Sequence, residues 1–130
     1  MDNFNLQIGI KGHKEIIVSE SDTASKFGSG LIDVYATPAM IGLMETTAQE
    51  SVQKFLPSGF ITLGIEINIK HLKATPIGMK VKCETILTAI DGKKLVFQVD
   101  AYDDNGKIGE GTHARFIVER KKFLEKLKQK

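Results

Sequence analysis

The amino-acid sequence predicts an α+β fold, in which an antiparallel sheet curls around one long and largely buried helix. Apolar residues recur at three- and four-residue steps between residues 37 and 56, which is the spacing of a buried helix face. Most of the chain between residues 60 and 120 instead alternates apolar with polar residues and is broken by short turns, as in consecutive antiparallel strands. A single helix followed by such strands buries its apolar face against one sheet, so we expect the sheet to wrap the helix.

The central helix is predicted to begin at Thr37-Pro38 and to end before Pro57-Ser58-Gly59. Threonine can accept a hydrogen bond from the first turn as N-cap residue, and proline at the next position needs no N–H partner. The residues that recur at three- and four-residue steps in this helix are Met40, Leu43, Met44, Ala48, Val52, Phe55 and Leu56. Glu45 lies beside them, where burial of an unpaired carboxylate is costly. Of the residues in this helix, Glu45 is therefore the hardest to explain by a purely structural role.

Five segments are predicted as strands, at residues 6–18, 60–71, 80–90, 94–102 and 107–120, and the first of them is either one strand or a bent pair of strands. The second strand alternates most clearly, and the side chains that share one face are Ile61, Leu63, Ile65, Ile67, Ile69 and His71. Gly64 interrupts this strand, and an isolated glycine in a strand indicates a β-bulge or the close approach of another group. Asp91-Gly92 and Asp104-Asn105-Gly106 are typical of hairpin turns.

Two shorter helices are expected outside this core. Residues 23–27 are predicted to form a helical turn, and residues 121–128 a basic amphipathic helix that rests on the domain. Gly28-Ser29-Gly30, before the central helix, is interpreted as a turn, although a flexible joint there would also allow a small lid. The residues that such a lid would carry are Phe27, Leu31 and Ile32.

Length and composition indicate one soluble globular domain that covers residues 1–130. A net charge of +2 is too small to favour nucleic acid as a partner. We expect neither export nor a membrane span, because the sequence has no leader-like start and no run of about 18 apolar residues. The single cysteine, Cys83, fits a cytoplasmic setting, and we interpret it as a half-buried apolar residue rather than a reactive thiol.

No metal ion and no cofactor are expected. The sequence has no glycine-rich phosphate loop that ends in Lys-Ser or Lys-Thr, and no glycine-flanked serine in a strand-turn-helix context. His13, His71 and His113 are far apart, without cysteine or paired carboxylates at metal-ligand spacing. These observations disfavour nucleotide hydrolysis, serine-based hydrolysis and metal catalysis.

Four polar residues remain at positions with apolar neighbours: Thr37, Glu45, His71 and Arg115. A carboxylate, an imidazole and a hydroxyl are the groups needed for acid–base or nucleophilic attack on an acyl carbon. Each residue also has a structural interpretation. Thr37 can be a helix cap, His71 a structural histidine, and Arg115 a partner of Glu45 or an exposed cation. The residues alone leave both interpretations open.

Three stretches of the sequence resemble the hotdog-fold acyl-CoA thioesterases, and among them the fluoroacetyl-CoA thioesterase-like family. These stretches are Val34-Tyr35-Ala36-Thr37-Pro38 with Gly42-Leu43-Met44-Glu45, His71-Leu72-Lys73-Ala74-Thr75-Pro76-Ile77-Gly78, and Gly109-Glu110-Gly111-Thr112-His113-Ala114-Arg115. The likeness spans nearly all of residues 7–123. It implies a central helix wrapped by an antiparallel sheet, two subunits that pair their sheets, and acyl-CoA bound at the dimer interface.

The resemblance also implies roles for individual residues. The catalytic set would be Thr37, Glu45 and His71, and the substrate-binding set Gly64, Arg115, Phe27 and Leu31. The expected reaction is hydrolysis of a short or small acyl-CoA thioester, in which CoA is part of the substrate. The enzyme of this family that selects fluoroacetyl-CoA has an aromatic lid before the central helix, whereas Leu31 and Ile32 occupy that stretch here. Fluoroacetyl selectivity is therefore not assigned.

Other functions are compatible with the same residues. A hotdog enoyl-CoA hydratase or dehydratase also pairs a histidine with a carboxylate, and a non-catalytic acyl-CoA-binding module or a purely structural dimer needs no turnover. The sequence leaves open the acyl group, the choice between CoA and acyl carrier protein, and the choice between dimer and tetramer. It also leaves open whether Glu45 is a nucleophile or a general base.

Overall fold

The computed structural model of the protein describes residues 4–130. The elements in chain order are β1 Lys11–Ile17, α1 Ala24–Phe27, α2 Thr37–Gln53, β2 Phe60–His71, β3 Lys80–Asp91, β4 Lys94–Asp103, β5 Gly106–Glu119 and α3 Arg120–Leu127. The five strands form one sheet in the order β1-β3-β4-β5-β2, and all of its pairings are antiparallel. Helix α2 contacts all five strands, as expected for an α+β fold with one central helix. None of the helices in residues 4–130 combines the length and hydrophobicity needed to cross a membrane.

The buried face of α2 forms the core. Met40, Met44, Ala48 and Val52 recur at helical spacing and have no exposed surface, so they pack fully against the sheet. The predicted helix start is wrong by one residue, because Ala36 is the N-cap and the side chain of Thr37 makes no capping hydrogen bond. The hydroxyl of Thr37 bonds elsewhere, as described below.

Strand β2 contains a β-bulge, as Gly64 predicted. Its pairing with β5 runs regularly up to Gly64, which lies opposite Arg115, and resumes at Glu66. The extra residue reverses which side chains point inward. The predicted face is therefore wrong before the bulge, where Thr62 is buried and only 4% exposed, while Ile65 is 54% exposed. Beyond the bulge the prediction holds, since Ile69 packs on the core.

Two hairpins join β3, β4 and β5. Asp91 pairs with Lys94, so the first turn contains Gly92, whose φ of +59° is a backbone conformation that glycine adopts without strain. Asp103 pairs with Gly106 across the second turn. Both turns were predicted from their Asp-Gly and Asp-Asn-Gly sequences.

Cys83 on β3 lies in the core with no exposed surface, more deeply than the half-buried position that was predicted. Burial raises the pKa of its thiol to about 11, so the thiol is protonated at neutral pH. The interpretation of Cys83 as an apolar core residue agrees with this environment.

Gly12 sets how closely α2 approaches the sheet. A Cβ at this position would lie 2.8 Å from Cβ of Ser51 and 2.9 Å from the carbonyl oxygen of Thr47, both on α2. We expect Gly12→Ala to lower the free energy of unfolding by roughly 1–3 kcal/mol, because the helix has to move away from the sheet. Gly42→Ala is the control, since nothing lies within 4 Å of a Cβ there. In a helix this change should be neutral or stabilising by up to about 1 kcal/mol. Urea unfolding measures both, and equal midpoints for Gly12→Ala and the wild type would contradict the packing argument.

Candidate active site

Thr37 and His71 form one half of the candidate site. Thr37 is the first residue of α2 and His71 the last residue of β2, and Oγ1 of Thr37 lies 2.7 Å from Nδ1 of His71. Thr37 therefore contacts a residue 34 positions away, which a capping preference cannot indicate. The structure supports a role for this hydroxyl other than a helix cap.

The other ring nitrogen of His71 is buried beside this pair. Nε2 is shielded from solvent and has no hydrogen-bond partner within residues 4–130. Burial lowers the pKa of His71, and the nearby backbone of Lys73 acts in the opposite direction. The imidazole is therefore neutral at neutral pH, with one nitrogen fixed by Thr37 and the other available to a substrate.

Glu45 belongs to the second half of the site, which surrounds Gly64. A Cβ on Gly64 would lie 3.1 Å from Oε2 of Glu45, 3.3 Å from Cε1 of His113 and 3.6 Å from Nη1 of Arg115. These three side chains converge on the position that glycine leaves empty. A larger residue at position 64 would displace the carboxylate, so the glycine is needed here for close approach.

Arg115 is held by β2. Its Nε donates to Oγ1 of Thr62 at 2.7 Å, its Nη2 donates to the carbonyl oxygen of Thr62 at 2.9 Å, and its Nη1 lies 3.1 Å from Nε2 of His113. Arg115 is only 7% exposed, so it is not the exposed strand cation that the sequence allowed. A buried guanidinium needs such acceptors because water cannot reach its donors.

Burial lowers the pKa of Arg115, and the negative charge of Glu45 raises it. Burial also lowers the pKa of His113, helped by the positive charge of Arg115, while the backbone of Glu66 and the charge of Glu45 oppose the shift. His113 is therefore neutral at neutral pH, and the charged groups that meet in this half of the site are one carboxylate and one guanidinium.

A single chain does not bring the two halves together. Thr37 and Glu45 are eight positions apart on α2, a rise of roughly 12 Å. Gly64 and His71 are seven positions apart on β2, which separates them by roughly 23 Å in an extended strand. Thr37 meets His71, and Glu45 meets Gly64 and Arg115, at two places along the same helix and strand.

Phe27 ends α1, and Leu31 follows it in the segment before α2. An open groove there is lined by residues that include Thr37, His71 and Lys73, but neither Phe27 nor Leu31 lines it. Leu31 is 98% exposed and Phe27 50%. Their predicted role in substrate binding remains a prediction.

His113 was not among the site residues predicted from the sequence, where it was considered only as a metal ligand. The structure buries it to 1% exposure and places it between Arg115 and the Glu66 carbonyl. One sequence signal was available. His113 lies two residues before Arg115 on the same strand, so the two side chains point to the same face.

Comparison with solved structures identifies the fold. The structure of the fluoroacetyl-CoA thioesterase FlK superposes with a TM-score of 0.91 at 30% identity, covering 96% of this chain and 97% of that one. A hot-dog-like protein from Thermanaerovibrio acidaminovorans superposes with a TM-score of 0.87 at 23% identity, covering 94% of this chain and 90% of that one, and supports the fold alone. The protein therefore has the hotdog fold that its sequence motifs implied, and its class is that of the hotdog thioesterases.

Sequence comparison gives the family. Residues 18–121 match the family model of the fluoroacetyl-CoA-specific thioesterases. A fluoroacetyl-CoA thioesterase from Streptantibioticus cattleyicolor is 37% identical over 98 residues, which cover 75% of this chain and 70% of the relative. The chain belongs to the fluoroacetyl-CoA-specific thioesterase family, whose members are thioester hydrolases.

The buried histidines predict how stability depends on pH. Folding lowers the pKa of His71 and His113 below the ordinary 6.5, so the unfolded chain binds protons that the folded chain excludes. Their contribution to stability is present above pH 6.5 and is lost as the pH falls below it. We expect the free energy of unfolding to decrease between pH 7.5 and 5.5, and His113→Gln to make this decrease smaller.

Urea unfolding at several pH values measures this effect. His13→Gln is the control, because the side chain of His13 is 53% exposed and lies on the surface beside Glu15. The explanation is wrong if His113→Gln keeps the full pH dependence of the wild type.

Proposed function

We propose that the protein hydrolyses a short or small acyl-CoA thioester at a site completed by two copies of the chain. The observation that carries this proposal is the placement of two complementary groups of residues along β2. A hydroxyl-bonded imidazole lies at its end, and a carboxylate with a buried guanidinium lies at its bulge. Each group lacks what the other contains, so pairing of two chains along β2 would supply both.

The position of β2 supports such pairing. It is an edge strand, because it pairs with β5 alone, and it is 12 residues long. Ile65 and Ile67 on this strand are 54% and 39% exposed. A long edge with exposed apolar side chains is a template for pairing with another strand.

Symmetry brings the two groups together. If two copies of β2 pair antiparallel about a two-fold axis that passes between their Asn68 residues, the bulge takes up Ile65 and Gly64 lies opposite His71 of the partner subunit. Directly paired residues point to the same face with Cβ positions about 5 Å apart. The His71 ring of one subunit would then face the Glu45 carboxylate of the other.

The chemistry follows from these groups. Glu45 either attacks the thioester carbonyl carbon, forming an anhydride and expelling the CoA thiolate, or removes a proton from the water that attacks. When the hydroxyl of Thr37 donates to Nδ1 of His71, the ring proton lies on Nε2 and can be given to the departing thiolate. Backbone N–H groups near Gly64 or at the start of α2 would stabilise the oxyanion by about 3 kcal/mol per donor.

The proposal also covers where the substrate binds and where in the cell the protein acts. The acyl group would lie against Gly64 and Arg115, and Phe27 and Leu31 would flank the groove that leads to His71. CoA acts as part of the substrate, and the protein works in the cytoplasm as a homodimer without a further cofactor.

Glu45→Gln tests the reaction. We expect hydrolysis of short acyl-CoAs to fall at least about 100-fold, because the amide can neither attack the carbonyl nor remove a proton from water. A panel of acyl-CoAs with a free-thiol dye measures it. Glu50→Gln is the control on the same helix, since the side chain of Glu50 is 55% exposed and pairs with Lys14. Full activity of Glu45→Gln would contradict the proposal.

The same panel separates the alternatives. Loss of the enoyl absorbance of crotonyl-CoA without release of thiol would indicate a hydratase. Thermal stabilisation by acyl-CoA without turnover would indicate a binding module.

A mixed dimer tests the shared site. Glu45→Gln and His71→Ala subunits, each inactive alone, are co-expressed with different tags and purified as the heterodimer. One of its two sites then contains both wild-type residues, so we expect roughly half of the wild-type activity per dimer. A heterodimer as inactive as its parents would show that Glu45 and His71 do not act across the interface.

A further inference from the structure

His113 is the buried titratable group for which the proposed reaction has no use. Its ring stacks on Phe97 with centroids 6.2 Å apart, and its Nδ1 lies 2.8 Å from the carbonyl oxygen of Glu66. A carbonyl only accepts hydrogen bonds, so Nδ1 carries the ring proton and Nε2 of the neutral ring is an acceptor. Nε2 therefore accepts from Nη1 of Arg115 at 3.1 Å.

This hydrogen bond completes the restraint of Arg115. Thr62 accepts from Nε and from Nη2, and His113 accepts from Nη1, so all three guanidinium nitrogens are bonded to β2 or β5. Within residues 4–130, no ion pair of 4.0 Å or less joins Arg115 to Glu45, although the Glu45 charge acts on the guanidinium. The Arg115 guanidinium therefore faces the Glu45 carboxylate without forming a direct ion pair with it.

We propose that His113 is a positioning residue that holds the Arg115 guanidinium against β2, so that Glu45 stays unpaired and free to react. This inference rests on the proposed function, in which Glu45 is the nucleophile or the general base. Without the acceptor at Nε2, Nη1 would turn towards Glu45. Nη1 then donates a charge-assisted hydrogen bond to a Glu45 oxygen, which reduces the ability of that carboxylate to attack or to accept a proton.

The surroundings of the ring support a fixed role. The charged groups that face it are Glu45 from α2 and Arg115 from β5. Phe97 from β4 stacks on the ring, and the Glu66 carbonyl at the bulge of β2 bonds its Nδ1. The bulge therefore contributes to the positioning of Arg115, because the Glu66 carbonyl there selects the His113 tautomer in which Nε2 accepts a hydrogen bond.

Two amide variants separate positioning from packing. The glutamine amide of His113→Gln reaches about as far as Nε2 and can accept from Arg115, whereas the asparagine amide of His113→Asn reaches about as far as Nδ1 and cannot. We expect His113→Asn to lower kcat roughly ten- to a hundredfold with little change in KM, because the carboxylate is withdrawn from the reaction. His113→Gln should keep a kcat at least about tenfold above that of His113→Asn. A merely structural role would give losses that follow stability in urea, and equal kcat values for the two variants would overturn the proposal.

A double-mutant cycle tests whether His113 acts through Arg115. In an Arg115→Lys background the guanidinium that His113 holds is already absent. His113→Asn should therefore lower kcat by less than about twofold further. A loss as large as in the wild-type background would show that His113 acts by another route, and would overturn the proposal.

An NMR measurement distinguishes this proposal from the proposed function. If the wild type hydrolyses no thioester, the proposed function fails, but the guanidinium of Arg115 still reports on His113. In His113→Asn the Nη1 protons should bond the Glu45 carboxylate, so their signals should shift when Glu45→Gln is added. In His113→Gln they should stay bonded to the amide at position 113 and shift little when Glu45→Gln is added. Equal shifts in the two backgrounds would overturn the positioning role whatever the activity.

Discussion

The site depends on how one buried guanidinium is satisfied. Arg115 lies between β5 and β2, where water cannot solvate it, so each of its nitrogens has to donate to a protein acceptor. Thr62 provides two acceptors and His113 a third, and the pairing of the strands fixes all three. The bulge after Gly64 belongs to the same arrangement, because the Glu66 carbonyl there accepts from His113. One cation thereby connects the pairing of β2 with β5, the tautomer of His113 and the charge that Glu45 faces.

Local patterns in the sequence predicted most of the fold. The helical repeat of Met40, Met44, Ala48 and Val52 depends only on neighbouring residues, and the structure buries all four. The hairpin at Asp91-Gly92 and the bulge at Gly64 were equally local, since each follows from the conformations that glycine allows. The faces of β2 were predicted wrongly before the bulge, because alternation counts residues and a bulge inserts one.

The candidate site was less predictable because its contacts connect distant parts of the chain. Capping preference assigned Thr37 to the helix terminus, but a partner 34 residues away takes its hydroxyl. His113 was overlooked because its role depends on Arg115, Gly64 and Glu45, which lie on three different elements. The family resemblance indicated Thr37, Glu45, His71 and Arg115 by motif. Only the coordinates show that these residues form two clusters rather than one.

The separation into two clusters has a physical consequence under the proposed function. Within one chain, Thr37 bonds one ring nitrogen of His71, and Glu45 faces Arg115, so neither group needs the other for the chain to fold. A carboxylate and an imidazole placed together in one subunit would bond each other, and both would then be less available to the substrate. If two subunits share these groups as proposed, the imidazole stays neutral and the carboxylate unpaired until two copies of β2 pair. Burial of the exposed isoleucines of that strand would then stabilise the dimer, so the same edge would join the subunits and complete the site.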